Sequence, residues 1–182
     1  MKNLFIRSGY LHDPIITMAN GERFDLSQLP PFLRVLLTTD GTVTKSLESY
    51  FWEPVSVHCT YQGGEKLSEN AFAIDKHKGE PVLARHVMLQ GMHSKRCFVR
   101  AESYIAAECL PEQMRTALKE ERMGIGELLR DSGLETYREL MAFGMLYEGE
   151  REELWRTYRI MLGHKPCMQI TERFDVALFR VS

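Results

Sequence analysis

Two charged residues lie on strand faces that are otherwise apolar. Side chains alternate across a strand, so residues i and i+2 share one face. The first such face carries Leu83, Arg85, Val87 and Leu89. The second carries Met168, Ile170, Glu172 and Phe174. Arg85 and Glu172 are the polar members of these two faces. Charged side chains are rarely buried fully unless they are paired or take part in function.

Two interpretations of Arg85 and Glu172 are open on this pattern. They can form a structural ion pair, or stand at strand ends where their charges reach water. Alternatively, they line an apolar cavity that binds a small, ring-shaped anion. Arg85 would then anchor a carboxylate with its planar fork, and Glu172 would handle a proton or a hydroxyl group.

Composition excludes several classes of protein. The chain has 182 residues, of which 44% are hydrophobic and 26% are charged. These values are typical of one globular domain, and we expect residues 1–182 to form it. The 23 Lys and Arg residues against 25 Asp and Glu residues give a net charge of −2. We therefore expect no nucleic-acid partner, because such a partner needs a basic excess.

Other sequence features predict a cytoplasmic protein without a metal site. No apolar run approaches the roughly 20 residues that span a bilayer, so we expect no membrane insertion. The apolar run near Met1 is too short for a signal peptide. The four cysteines contain no CxxC pattern and the six histidines no HExxH pattern. Reduced thiols in the cytoplasm, with no metal ligands, are therefore expected.

The periodicity of the chain predicts an α+β fold. Helical patterns cover residues 30–39, 44–51, 110–121 and 126–132. Strand patterns cover residues 55–61, 82–90, 96–107, 154–162 and 166–174, the first ended by Gly63 and Gly64. Residues 136–144 fit a helix or a strand, residues 148–153 a solvated loop, and residues 1–30 an irregular extension. The sum is a mostly antiparallel sheet with helices on one side.

Five stretches resemble the chorismate pyruvate-lyase family. They are LRVLLTTDGTVT at 33–44, LARHVML at 83–89, AESYIA at 101–106, GIGELL at 124–129 and YRIMLGHKPCMQITE at 158–172. Each motif alone has low specificity, but the ordered set, spread over residues 33–174, is fairly specific. The resemblance implies an enzyme that forms 4-hydroxybenzoate and pyruvate from chorismate without a cofactor.

The resemblance also implies a site. It places an internal ligand cavity between the antiparallel sheet and the helices. Arg85 matches the carboxylate-binding arginine of the family, and Glu172 matches its active-site glutamate. Val43 and Ile125 match positions whose backbone groups line the pocket. Glu172 and Arg85 are thus the expected catalytic residues, and Val43 and Ile125 complete the substrate-binding set.

Two other functions stay open at this point. One is a non-catalytic sensor domain that binds a small aromatic acid on the same fold, as in some transcription regulators. Such regulators usually carry a basic DNA-binding domain before the sensor, and we expect none here, because the roughly thirty residues before Leu33 are few and not basic. The other is an unrelated binding or scaffold protein. The sequence also leaves open the oligomeric state, and whether the product serves quinone biosynthesis or another phenolic compound.

Overall fold

The computed structural model describes residues 14–39, 41–119 and 125–180. The strands are β1 (Ile15–Thr17), β2 (Arg23–Asp25), β3 (Val55–Lys66), β4 (Pro81–Gly91), β5 (Cys97–Ile105), β6 (Thr136–Glu148), β7 (Arg151–Leu162) and β8 (Lys165–Asp175). The helices are α1 (Pro31–Thr38), α2 (Val43–Phe51), α3 (Glu112–Lys119) and α4 (Ile125–Asp131). The predicted α+β class is confirmed, and most predicted boundaries are correct to within a few residues.

Six of the described strands form one antiparallel sheet in the order β3-β4-β5-β8-β7-β6. The ambiguous segment is strand β6, which pairs with β7 from Thr136 to Glu148. Its pattern is unclear because the register shifts between Leu140 and Ala142. A bulge of this kind breaks the strict alternation by which a strand is recognised. Strand β3 continues past Gly63 and Gly64, because pairing with β4 carries it to Lys66.

The expected irregular extension at residues 1–30 is wrong for part of its length. Residues 1–13 lie outside the described residues. Strands β1 and β2 pair in a short hairpin, and Gly21 in the turn adopts a φ of +86°. Leu26 and Leu29 follow the hairpin and are buried in the core. The hairpin forms because its three-residue strands meet at an Asn20-Gly21 turn, a pair of residues that favours left-handed backbone.

The charge run at residues 148–153 is a solvated turn only in its first part, at the exposed Gly149 and Glu150. Strand β7 already begins at Arg151, and the carboxylate of Glu153 is buried. Glu153 pairs with Arg100, with Arg173 at 3.5 Å and with Arg151 at 3.7 Å. The run therefore supplies the buried carboxylate of Glu153 and one of its partners, Arg151. A count of charges does not reveal this pairing.

The helices pack on one face of the sheet, as predicted, in two clusters. Helices α1 and α2 cover one end, where Leu33, Leu36 and Leu47 pack against Leu89 and Phe174. Helices α3 and α4 cover the other end. There Met114, Leu118 and Leu129 pack against Ile105 and Met168. At the seam between the clusters, side chains of β4, β5, β7 and β8 face the starts of α2 and α4. None of the helices in the described part of the chain has the length and apolar character that a membrane crossing requires.

Candidate active site

A pocket lies at the seam between the two helix clusters. Its apolar wall is formed by Val57, Val87, Leu89, Ala101, Ile160 and Ile170. Its polar lining includes Arg85, Ser103, Arg138, Tyr158 and Glu172. Gly41, Thr42, Val43 and Thr44 line it from the start of α2, and Ile125 and Gly126 line it from the start of α4. The structure thus brings Arg85, Glu172, Val43 and Ile125 together around one space.

The sheet aims Arg85 and Glu172 into this pocket from different strands. Arg85 stands opposite Ser103, and Glu172 stands opposite Ala101 of the same intervening strand β5. Strands are about 4.8 Å apart, so the two backbones are separated by about 10 Å across the sheet. Both side chains are buried, with 1% of Arg85 and 5% of Glu172 exposed. A ligand with a polar group at each end can therefore contact both.

Glu172 is held by two neighbours on strand β7. The Nε and Nη2 atoms of Arg156 each lie 2.8 Å from Oε2 of Glu172. The hydroxyl of Tyr158 donates to Oε1 of Glu172 at 3.1 Å. The interpretation of Glu172 as a paired charge is therefore correct, and its cationic partner is Arg156. Nε of Arg156 and the Tyr158 hydroxyl donate hydrogen bonds to Glu172, and Nη2 of Arg156 adds an ion-pair contact, so the Glu172 carboxylate acts as the acceptor.

Arg156 also ties the carboxylate to helix α1. Its Nη1 atom donates to the carbonyl of Leu36 and, at 3.2 Å, to that of Thr39. Carbonyls in the last turn of a helix lack partners within the helix, and a cation is favourable there. The guanidinium also lies 5.0 Å from the centre of the Tyr158 ring. Arg156, 2% exposed, therefore fixes the position of Glu172 and places a cation beside its carboxylate.

Sequence reasoning missed Arg156 and Arg138, although one signal was present. Leu154, Arg156, Tyr158 and Ile160 share the inward face of β7, and Arg156 is the one charged residue among them. This is the same pattern that singled out Arg85. Arg138 could not be recognised in this way, because the alternation of apolar and polar residues along β6 is irregular.

Tyr158 stays protonated at neutral pH. Burial raises the pKa of its hydroxyl well above the ordinary value of 10.0, and the adjacent Glu172 carboxylate raises it further. Arg156 and Arg138 act in the opposite direction, with smaller effect. The phenol can therefore donate a hydrogen bond to Glu172 throughout the neutral range.

We expect this tyrosine to make the protein less stable in alkali. The unfolded chain loses the Tyr158 proton near pH 10 while the folded chain keeps it. The free energy of unfolding therefore falls as the pH rises above about 10. In Tyr158→Phe the free energy of unfolding should fall less steeply with pH. The difference in slope is up to about 1.4 kcal/mol per pH unit, the value for one titrating proton. Denaturant titrations at several alkaline pH values measure it, and identical slopes for both proteins would contradict the assignment.

Among the described residues, no group of three or more His, Cys, Asp or Glu side chains is arranged to hold a metal ion. The polar groups of the pocket are guanidinium, hydroxyl and carboxylate groups. Such groups can orient an organic anion and accept a proton or a hydrogen bond from it.

The fold of this chain is shared with solved structures of two bacterial proteins. PhnF from Mycobacterium smegmatis aligns with a TM-score of 0.56 and 11% identity, over 76% of this chain and 65% of PhnF, slightly less than two thirds of its length. The possible transcriptional regulator YydK from Bacillus subtilis aligns with a TM-score of 0.54 and 12% identity, over 93% of this chain and 75% of YydK. Identities this low establish a shared fold and nothing more.

Sequence comparison defines the family. Residues 37–182 match the family model described as "Chorismate pyruvate-lyase Rv2949c-like". The chorismate pyruvate-lyase of Mycobacterium tuberculosis is 30% identical over 171 residues, covering 86% of this chain and 85% of the relative. That of Mycobacterium leprae is 29% identical over 170 residues, covering 87% and 80%. The chain belongs to the Rv2949c-like chorismate pyruvate-lyase family, as its sequence motifs indicated.

Proposed function

We propose that this chain eliminates pyruvate from chorismate and releases 4-hydroxybenzoate. The observation that carries the proposal is that the buried guanidinium of Arg85 and the buried carboxylate of Glu172 line one apolar pocket. An aromatic acid with a hydroxyl group opposite its carboxylate matches such a pair. Membership of the family, and two relatives named chorismate pyruvate-lyase, support the same reaction.

The reaction needs no oxidant, reductant or second substrate. Chorismate carries a ring carboxylate, a ring hydroxyl and an enolpyruvyl ether on the adjacent carbon. The bond between the ring carbon and the ether oxygen breaks, and a proton leaves the carbon that bears the hydroxyl. The electron pair of that C–H bond completes the aromatic ring. The departing enolpyruvate takes up a proton and becomes pyruvate.

Three parts of the pocket would assist these steps. Arg85 would clamp the ring carboxylate and so orient the ring. Glu172, held in place by Arg156 and Tyr158, would accept a hydrogen bond from the ring hydroxyl and, as the base, take up the proton that leaves the carbon bearing that hydroxyl. The apolar wall would exclude water, which strengthens both electrostatic interactions.

The direct test is turnover by the purified chain. Incubation with chorismate should yield 4-hydroxybenzoate and pyruvate in a 1:1 ratio, each measured independently, well above the spontaneous rate. Treatment with a chelator should leave this rate unchanged, since the elimination needs no Lewis acid. A rate no higher than that of chorismate alone would contradict the proposal.

A second candidate is a sensor domain that binds an aromatic acid without converting it. YydK, described as a possible transcriptional regulator, shares the fold, and this is the observation that brings the candidate into consideration. The same pocket would serve it, because Arg85 can bind a carboxylate whether or not a reaction follows. Tight binding of 4-hydroxybenzoate combined with no turnover of chorismate would decide for the sensor.

A further inference from the structure

A second arginine lines the pocket on the side away from Arg85. In the sheet order, Arg85 is on the second strand, Glu172 on the fourth and Arg138 on the sixth. Arg138 stands opposite Ile160, whose side chain also lines the pocket. We propose that Arg138 binds the carboxylate of the enolpyruvyl group, and so forms a second carboxylate subsite. This inference rests on the proposed function.

The position of Arg138 fits that subsite. A Cβ atom added to Gly126 would lie 3.8 Å from Nη2 of Arg138, so the guanidinium reaches the start of helix α4. The positive charge of Arg138 also acts on Tyr158, where it opposes part of the rise in the pKa of the hydroxyl. The guanidinium therefore reaches the neighbourhood of the Tyr158 and Glu172 pair from the side opposite Arg85. Arg138 is half-buried, whereas Arg85 is fully buried.

The substrate offers a carboxylate to each of these two arginines. Chorismate has one carboxylate on the ring and one on the ether side chain. With the ring carboxylate on Arg85 and the ring hydroxyl near Glu172, the side chain extends toward the strands beyond Glu172. Arg138 is the arginine on that side among the described residues of the lining.

The subsite would make the protein bind the substrate more tightly than the aromatic product. 4-Hydroxybenzoate keeps the ring carboxylate and lacks the second one, so it should contact Arg85 and leave Arg138 to pyruvate. Because Arg138 is half-buried, the pyruvate it holds lies nearer to solvent than the ring does. A guanidinium at that end therefore adds affinity for chorismate without adding affinity for the aromatic product.

Arg138→Gln tests the subsite, because it removes the charge and keeps a polar side chain. We expect kcat/KM for chorismate to fall about 10- to 100-fold, the loss that follows from one hydrogen bond to a charged group. The Kd of 4-hydroxybenzoate, measured by calorimetry, should stay within about twofold of the wild-type value. Arg138→Lys should recover part of kcat/KM, because it restores the charge without the planar fork.

Arg159→Gln is the matched control. Arg159 lies on the neighbouring strand, faces the other side of the sheet and pairs with Glu139 at 2.8 Å. The kcat/KM of Arg159→Gln for chorismate should stay close to the wild-type value. Equal losses of chorismate and 4-hydroxybenzoate affinity in Arg138→Gln, or no loss of either, would overturn the subsite. Should the glutamine variant fail to fold, Arg138→Lys carries the test, and a loss confined to chorismate is still expected.

The failure of the proposed function would look different. If the wild-type chain converts no chorismate, calorimetry with chorismate itself becomes practicable. The wild-type chain should then bind chorismate more tightly than 4-hydroxybenzoate, and Arg138→Gln should abolish that preference. An unchanged preference, or no preference in the wild-type chain, would overturn the subsite independently of catalysis.

Discussion

Glu172→Gln should lower kcat for chorismate by about 10²–10⁴-fold, the usual contribution of general acid–base assistance. Glutamine keeps the shape of the side chain and an oxygen that can accept from Tyr158, but it cannot take up a proton. Binding of 4-hydroxybenzoate should weaken less than turnover, because Arg85 still holds the carboxylate. Stopped assays for both products, with calorimetry for 4-hydroxybenzoate, measure the two effects.

The same substitution should also destabilise the fold, since it leaves the buried Arg156 without its carboxylate. Removing one partner of a buried ion pair costs about 3–5 kcal/mol. Arg156→Met combined with Glu172→Gln removes both charges and should recover much of the loss in Tm, while kcat stays low. Glu139→Gln, on an exposed pair with Arg159, serves as the control. A folded Glu172→Gln protein that turns over within a few-fold of wild type would remove Glu172 from the mechanism.

Arg85→Ala should weaken 4-hydroxybenzoate binding by about 2–5 kcal/mol, the loss expected for one partner of a desolvated charge pair. Arg85→Lys should recover only part of the affinity, because an ammonium group lacks the planar fork that matches a carboxylate. Calorimetry on the folded variants measures both, and Arg159→Gln provides a variant of equal charge outside the pocket. Unchanged product affinity in a folded Arg85→Ala protein would exclude Arg85 from the site.

The strands that build the pocket could be predicted because their two faces differ. In β5 and β8 the inward side chains are mostly apolar and the outward ones mostly polar, which is a local property. Strand β6 could not be recognised in this way, because the bulge at Leu140 and Ala142 interrupts its alternation. The hairpin at residues 15–25 is similarly hidden, since its strands are three residues long.

The candidate site was predictable only where an isolated charge interrupts an apolar face. Arg85 and Glu172 meet that condition, and they line one pocket as expected for a shared ligand. The pairing of Glu172 with Arg156 was not predictable, because it depends on β7 and β8 being neighbours in register. The contacts of Arg156 with the carbonyls at the end of α1 span more than a hundred residues of sequence, and no local pattern encodes them.

A structure of the chain with bound 4-hydroxybenzoate is the most direct test of how the pocket works. The carboxylate of the ligand should lie within hydrogen-bonding distance of the Arg85 guanidinium, at about 2.7–2.9 Å. Its hydroxyl should lie beside the Glu172 carboxylate, with the ring against Ile170 and Leu89. Binding in the reverse orientation, or outside the pocket lined by Arg85 and Glu172, would contradict the roles proposed for both residues.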